Sequence, residues 1–243
     1  MATFTLYNDR LPDPTFGVND TGVESASGTY GPGFANATIR SVRPSQVSRT
    51  NSGKGVHRET GSHNWEININ YHPMLRDHFD VVSSFLDARN GRMKPFYVVL
   101  PQYSKPKNAT FAIYAAANIL KVQGAHAAGS STLLIQAPGT LNAYPRPNDY
   151  FTITDPNDIN HQKTYKITRV ETNALYELGK IQPAVNEVRV HIMPPLTKFT
   201  ASQAIINFIN PKFRVIQKSD VIETQLNTDN LYSFQLDLEE IQP

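Results

Sequence analysis

The chain of 243 residues is long enough for one large domain or two small ones, and its 40% hydrophobic and 10% aromatic content supplies a folded core rather than a disordered chain. Lys and Arg (23) nearly balance Asp and Glu (21), so a net charge of +2 gives no whole-chain attraction for nucleic acid or an anionic membrane. The absence of cysteine excludes a disulfide framework, Cys-ligated zinc or iron–sulfur centres and a thiol nucleophile.

The N-terminus, from Met1 to Arg10, lacks the charged and apolar regions of a secretory signal and reads as a mature start. Nowhere do apolar residues approach the roughly 18 in a row that a transmembrane helix needs, so no membrane insertion is expected. Residues 12 to 38, rich in Pro, Gly, Asn, Ser and Thr, read as an extended, poorly regular arm. Residues 39 to 71 alternate at both ends around Asn51-Ser52-Gly53-Lys54-Gly55, which predicts a β-hairpin whose glycines supply the positive φ of a tight turn. Its second arm sets Trp65, Ile67, Ile69 and Tyr71 against Glu66, Asn68 and Asn70, the period of a strand with one buried face.

The period then changes. Pro73 suits a first helical turn, and Leu75, Phe79, Val82 and Leu86 follow at spacings of four, three and four, which predicts an amphipathic helix. Asn90-Gly91 ends it with residues suited to the left-handed cap. A strand is expected from Phe96 to Leu100. Because the strand before the helix alternates instead of being apolar throughout, one helix on a mainly antiparallel sheet fits better than a βαβ unit.

From Gln102 to about Asn210 the sequence breaks into short β-like runs, Thr132 to Gln136, Tyr150 to Thr154, Thr164 to Val170 and Glu187 to Ile192, separated by Pro- and Gly-containing turns. That texture predicts an inserted small barrel or sandwich. Two more strands close the chain: Phe213 to Gln217, then one in which Tyr232, Phe234, Leu236 and Leu238 alternate with polar residues. The fold class expected is therefore mainly β with one amphipathic helix, divided as 1–105 with 210–243 and an inserted β-domain at 106–209.

No catalytic constellation emerges. The seven histidines form no HExxH pattern, and Asp155-Pro156-Asn157-Asp158 lacks the glycine and closing Glu of a calcium loop and reads as an Asx-type turn. Gly53-Lys54-Gly55 fails the phosphate-loop spacing, since Ser48 occupies the first glycine position. No cofactor, metal or catalytic residue is expected. The most unusual charge lies in the hairpin, where Arg40, Arg43, Arg49, Lys54 and Arg58 face only Glu59. These five fit either a solvated hairpin face or contact with an acidic neighbouring protein surface. Nucleic acid is disfavoured, because no stacking aromatics are interleaved with them.

The order of elements is more specific than any one motif. A basic hairpin leading into Trp65-Glu66-Ile67-Asn68-Ile69-Asn70-Tyr71, His72-Pro73-Met74 with its helix, Asn90-Gly91-Arg92 and Lys94-Pro95-Phe96-Tyr97-Val98-Val99-Leu100-Pro101 resembles the distal tail proteins and related baseplate hub components of tailed bacteriophages. Asn148-Asp149-Tyr150-Phe151, Met193-Pro194-Pro195-Leu196, Asn210-Pro211-Lys212-Phe213 and the closing Phe234-Gln235-Leu236-Asp237-Leu238 are similar to the second half of such proteins, although Asp155 to Gln162 lengthens a loop that is usually short there.

The resemblance implies a split β-barrel whose copies form a ring continuing the tail tube, with the inserted domain at its periphery. It implies a structural virion protein of the tail, made in the host cytoplasm, with tail-tube and baseplate hub proteins as partners and a homo-oligomeric ring, a hexamer before a trimer. Trp65, Ile67, Ile69, Leu75, Phe79, Val82 and Leu86 are then the expected core. Arg40, Arg43, Arg49, Lys54 and Arg58 are the expected subunit contacts. The competing reading is a carbohydrate- or receptor-binding module that uses Tyr144, Tyr150, Tyr165 or Tyr176 as stacking surfaces.

Overall fold

The computed structural model describes residues 9–15, 17–18, 28–59, 63–158, 161–220, 224–226 and 231–242. The N-terminal stretch 1–8, residues 16 and 19–27 of the expected arm, residues 60–62 beside the hairpin and residues 159–160 of the lengthened loop lie outside the described residues. In chain order the elements are β1 (Gly17–Val18), β2 (Thr29–Tyr30), β3 (Phe34–Val42), β4 (Ser45–Arg49), β5 (Gly55–Glu59), β6 (Asn64–Tyr71), α1 (Arg76–Ala88), β7 (Phe96–Val98) and a 3-10 turn at Pro101–Tyr103. They continue with α2 (Ala109–Ala117), β8 (Leu120–Val122), β9 (Thr132–Gln136), β10 (Tyr150–Thr154), β11 (Thr164–Glu171), β12 (Glu187–Met193), β13 (Ile205–Asn207), β14 (Phe213–Gln217), β15 (Thr224–Leu226) and β16 (Tyr232–Glu240). The protein is mainly β. It divides into two compact units, one of Met1–Val98 with Val215–Ile241, the other of Val99–Arg214 with Gln242–Pro243.

The first unit is built on a six-stranded sheet ordered β3-β6-β16-β14-β7, with β15 paired to β16. Strand β6 lies between two antiparallel partners, Ile67 opposite Ile39 on one side and Leu238 on the other. Its alternation is therefore enforced from both sides: Trp65, Ile67, Ile69 and Tyr71 are buried, while Glu66, Asn68 and Asn70 turn outward. Helix α1 has no side-chain cap at its N-terminus, so its stability comes from its apolar face. Phe79 stacks on Tyr232 with ring centroids 4.5 Å apart, and Phe85 meets Phe96 edge-on at 5.5 Å. Asn90 and Gly91, at φ 52° and 62°, form the left-handed exit that their residue types predict.

Three expectations are corrected here. The helix begins at Arg76, not at Pro73, and Leu75 is its N-cap residue, 62% exposed; Met74, bridged to Tyr232, is the buried residue at that corner. The arm is not wholly irregular, because β1 pairs with β2, and β3 already begins at Phe34. Asp13, 2% exposed, receives Arg10 at 2.5 Å and the Thr15 amide at 2.7 Å. The third correction is α2, a second helix in a stretch expected to hold only strands.

The second unit is a closed barrel, ordered β10-β11-β12-β9-β8-β13. Closure leaves no free strand edge. Alternate residues of every strand fill it, among them Leu133, Ile135, Phe151, Ile153, Ile167 and Val190, and Phe111 of α2 joins them by meeting Phe208 edge-on at 5.1 Å. Asn108 caps α2 by accepting from the Phe111 amide. His161, 2% exposed, lies 2.8 Å from the Tyr165 hydroxyl. Burial above all, with Lys198 adding to it, pushes its pKa down against the pull of Asp155 and Asp158, so the imidazole is held neutral.

Candidate functional site

The basic hairpin is the feature of the first unit with no role in its core. Strands β4 and β5 pair in register from Ser45 opposite Glu59 to Arg49 opposite Gly55. Between them the turn is closed by the Thr50 amide donating to the Lys54 carbonyl at 3.0 Å and the Gly53 amide to the Thr50 carbonyl at 2.8 Å. Gly53, at φ 83°, occupies the left-handed position that a side chain would strain. Every residue from 40 to 58 is exposed, Val42, Val47 and Val56 included. Two strands with no apolar face against a core gain little from folding alone.

Register sorts the five cations. Arg49 shares a face with Val47 and His57, Arg58 shares the opposite face with Gln46, Lys54 sits in the turn, and Arg43 lies in the link between β3 and β4. They decorate both faces of the hairpin and do not form one patch. Arg40 belongs elsewhere. It stands opposite Glu66 on the outer face of the six-stranded sheet and lines a groove of about 310 Å³ with Asn68, Lys218 and Asp237. That face carries its own pairs, Lys218 to Glu66 at 2.7 Å, Arg92 to Glu239 at 3.0 Å, and Asn68 donating to Asp237. None of the five cations enters an ion pair among the described residues.

The expected core residues Trp65, Ile67, Ile69, Phe79, Val82 and Leu86 are each 8% exposed or less, with Leu75 the exception already described. Phe85 joins them, a helix position the spacing argument passed over although it follows Val82 by three. The proposed stacking tyrosines are not gathered on a surface. Tyr165 is fully buried and Tyr150 5% exposed, packed against Tyr103 and Phe213, while Tyr144 is half-buried and Tyr176 lies apart on a loop. Burial raises the Tyr150 pKa, with Tyr103 adding to it. Among the described residues no group of three or more His, Asp or Glu stands close enough to hold a metal ion.

Sequence reasoning missed one ionic centre on the barrel. Glu171, 3% exposed, is met by His191 Nε2 at 2.7 Å, Arg189 Nη1 at 2.8 Å and the Arg169 guanidinium, which also reaches Glu177 at 2.7 Å. Burial alone raises the Glu171 pKa, but the hydrogen bonds from His191, Arg189 and Arg169 outweigh it and carry the carboxyl down to about 2. The register that puts Arg169 opposite His191 and Glu171 opposite Arg189 creates this centre. It is a brace between β11, β12 and the loop that joins them.

Residues 24–103, well under half of the chain, match the family model described as distal tail protein pb9, A domain, N-terminal. The match supports the phage distal tail protein family. The matched stretch runs from before β2 to the 3-10 turn and so contains the hairpin, β3, β6, α1 and β7. The match supports a structural role in the phage tail. No curated protein matches the chain.

Proposed function

We propose that copies of this chain close into a ring, a hexamer before a trimer, that links the tail tube to the baseplate or tail tip in a structural, non-catalytic role. In this reading residues 1–105 and 210–243 make the ring, and 106–209 form a peripheral domain. The observation that carries it is the hairpin: a well-formed turn and two paired strands, exposed from Ser45 to Arg58, with four cations and three valines that nothing in the chain's described residues covers. Strand β3 adds to this, since β6 is its one partner among the described residues and its other edge remains open over Phe34–Val42. Open edges of that length invite pairing with another chain. Arg43, Arg49, Lys54 and Arg58 gain most by reaching carboxylates of a neighbour, where partial burial lowers the effective dielectric.

The test is the mass of the purified protein by light scattering, repeated after Arg49→Glu, Lys54→Glu and Arg58→Glu are combined. A ring mass for the parent, a smaller mass for the variant and an unchanged melt support the proposal. Trypsin should cut at Arg49, Lys54 or Arg58 in the free subunit and be slowed in the assembled tail. A monomer at every concentration, or equal trypsin protection in both states, overturns it.

A further inference from the structure

Charge is unevenly placed along the chain. Between Asp87 and Asp149 it carries three Arg and four Lys but no Asp or Glu. The barrel unit folds three of these cations, Lys105, Lys107 and Arg146, around the short stretch Asp149-Tyr150. The Asp149 carboxylate, 4% exposed, accepts the Lys107 amide at 2.9 Å through one oxygen and the Arg146 amide at 2.7 Å through the other. The Asn108 side chain donates to the Tyr144 carbonyl at 3.0 Å, so the link before α2 is tied to the loop before β10 a second time. Backbone groups make these ties, and the side chains of Lys105, Lys107 and Arg146 stay exposed.

Tyr150 extends the patch. It stands opposite Lys166 across β10 and β11, with the Lys166 ammonium 5.9 Å from its ring centroid, and the Tyr103 ring packs on it at 4.5 Å. Tyr103 and Tyr144 are half-buried, so each keeps part of its surface in water. Lys105, Lys107, Arg146 and Lys166 enter no ion pair among the described residues. Asp149 is the carboxylate bonded within the patch, and it is buried beneath two amides, so the four cations are in excess. The N-terminal end of α2 follows Asn108 directly and adds the positive potential of its dipole.

We propose that this patch binds a single strand of nucleic acid, with phosphates on Lys105, Lys107, Arg146 and Lys166 and bases against Tyr103 and Tyr144. The whole-chain net charge of +2 conceals this local excess. The hairpin cations lie on both faces of their ribbon with no Phe, Tyr or Trp among them, whereas here rings and cations are interleaved, the arrangement that single strands use. A duplex is a poorer occupant, because its base faces are sealed in the stack and leave the tyrosines unused. An acidic polysaccharide answers the charge, but its saturated rings lack the π-face that stacks on tyrosine. The proposal is independent of self-association and of the hairpin.

The test is fluorescence anisotropy of a labelled oligothymidylate of about twelve nucleotides titrated with the full chain. Four phosphate contacts on a single strand predict a slope of about −3 for log affinity against log salt, a weakening of about 50-fold between about 50 and 200 mM sodium chloride. Lys105→Gln, Lys107→Gln and Arg146→Gln, combined at exposed positions, should leave the melt unchanged and reduce the slope to about −1. The control variant Arg49→Gln, Lys54→Gln and Arg58→Gln should bind as the parent does. No binding at the lowest salt, an unaltered affinity in the patch variant, or loss of binding in the hairpin variant overturns the proposal. Equal affinity for a duplex of the same length shows that the rings take no part and overturns the single-strand assignment. Displacement of the strand by polygalacturonate at equal charge concentration assigns the patch to acidic polysaccharide instead.

Discussion

Glu171→Gln isolates the brace beneath the exposed loop. Glutamine keeps the shape of the side chain and one acceptor, but it removes the charge that His191, Arg189 and Arg169 share, and its amide places N–H donors against their own. Hydrogen bonds to a charged group contribute about 1.5 to 3 kcal/mol, and a broken buried network leaves its other members partly unsatisfied, so a loss of about 2 to 3 kcal/mol at neutral pH is expected. The sign with pH follows from the lowered pKa. Because the folded-state value, about 2, lies below the ordinary carboxyl value of 4.5, the stabilisation is complete above the unfolded value and disappears as pH falls from there towards 2. Thermal melts by circular dichroism at pH 7, 5, 3.5 and 2 should show parent and variant far apart at the first two and converging at the last. If the gap is constant across the series, or absent at pH 7, the carboxylate is not held ionised by its three donors and the brace is wrongly assigned.

Trp65→Ala should cost about 3 to 5 kcal/mol, since the indole is 2% exposed and its strand is walled on both sides; denaturant titration followed by circular dichroism measures it, and a variant with the parent's midpoint would show the strand misplaced. At Gly31 a Cβ would lie 2.3 Å from the Pro12 carbonyl carbon and 2.6 Å from the Asp13 amide, so Gly31→Ala must push backbone aside and lose about 1 to 3 kcal/mol, where an unshifted melt refutes the close approach. The Tyr71 hydroxyl is buried without a partner among the described residues, and burial, with Asp13 adding to it, drives its pKa upward. Tyr71→Phe should therefore leave stability unchanged or raise it by up to about 1 kcal/mol, and a clear loss means the hydroxyl is bonded after all.

The elements legible in the sequence are those whose period is long enough to repeat. Strand β6 and strand β16 each show three or more buried residues in alternation, and α1 places Phe79, Val82 and Leu86 on one side. Helix α2 defeated the same argument because Ala109–Ala117 has no polar face from which to measure a period; only its alanine content and the Asn108 cap marked it. Strands β8 and β13, at three residues each, are too short to repeat. Leu75 fitted the helical spacing, but a spacing does not locate the first turn, and the chain enters the helix one residue later. The Glu171 centre depends on pairing between strands joined by a long loop, and no local pattern records which residue will stand opposite which.

Charge and apolar exposure together separate the hairpin and the barrel loop, two surfaces that no other described residue covers. On the hairpin, Arg49 and Arg58 lie on opposite faces beside exposed Val47 and Val56, so a neighbour that pairs with its cations is acidic, and contacts of that kind weaken as salt screens them. On the barrel loop the exposed groups are aliphatic, and the ionic pairs lie beneath them rather than among them, so a contact there draws on removal of apolar area from water and is far less sensitive to salt. Light scattering at increasing sodium chloride should therefore find the assembled mass falling in step with the loss of trypsin protection at Arg49 and Arg58; protection that survives high salt would show that the hairpin contact is not held by its cations.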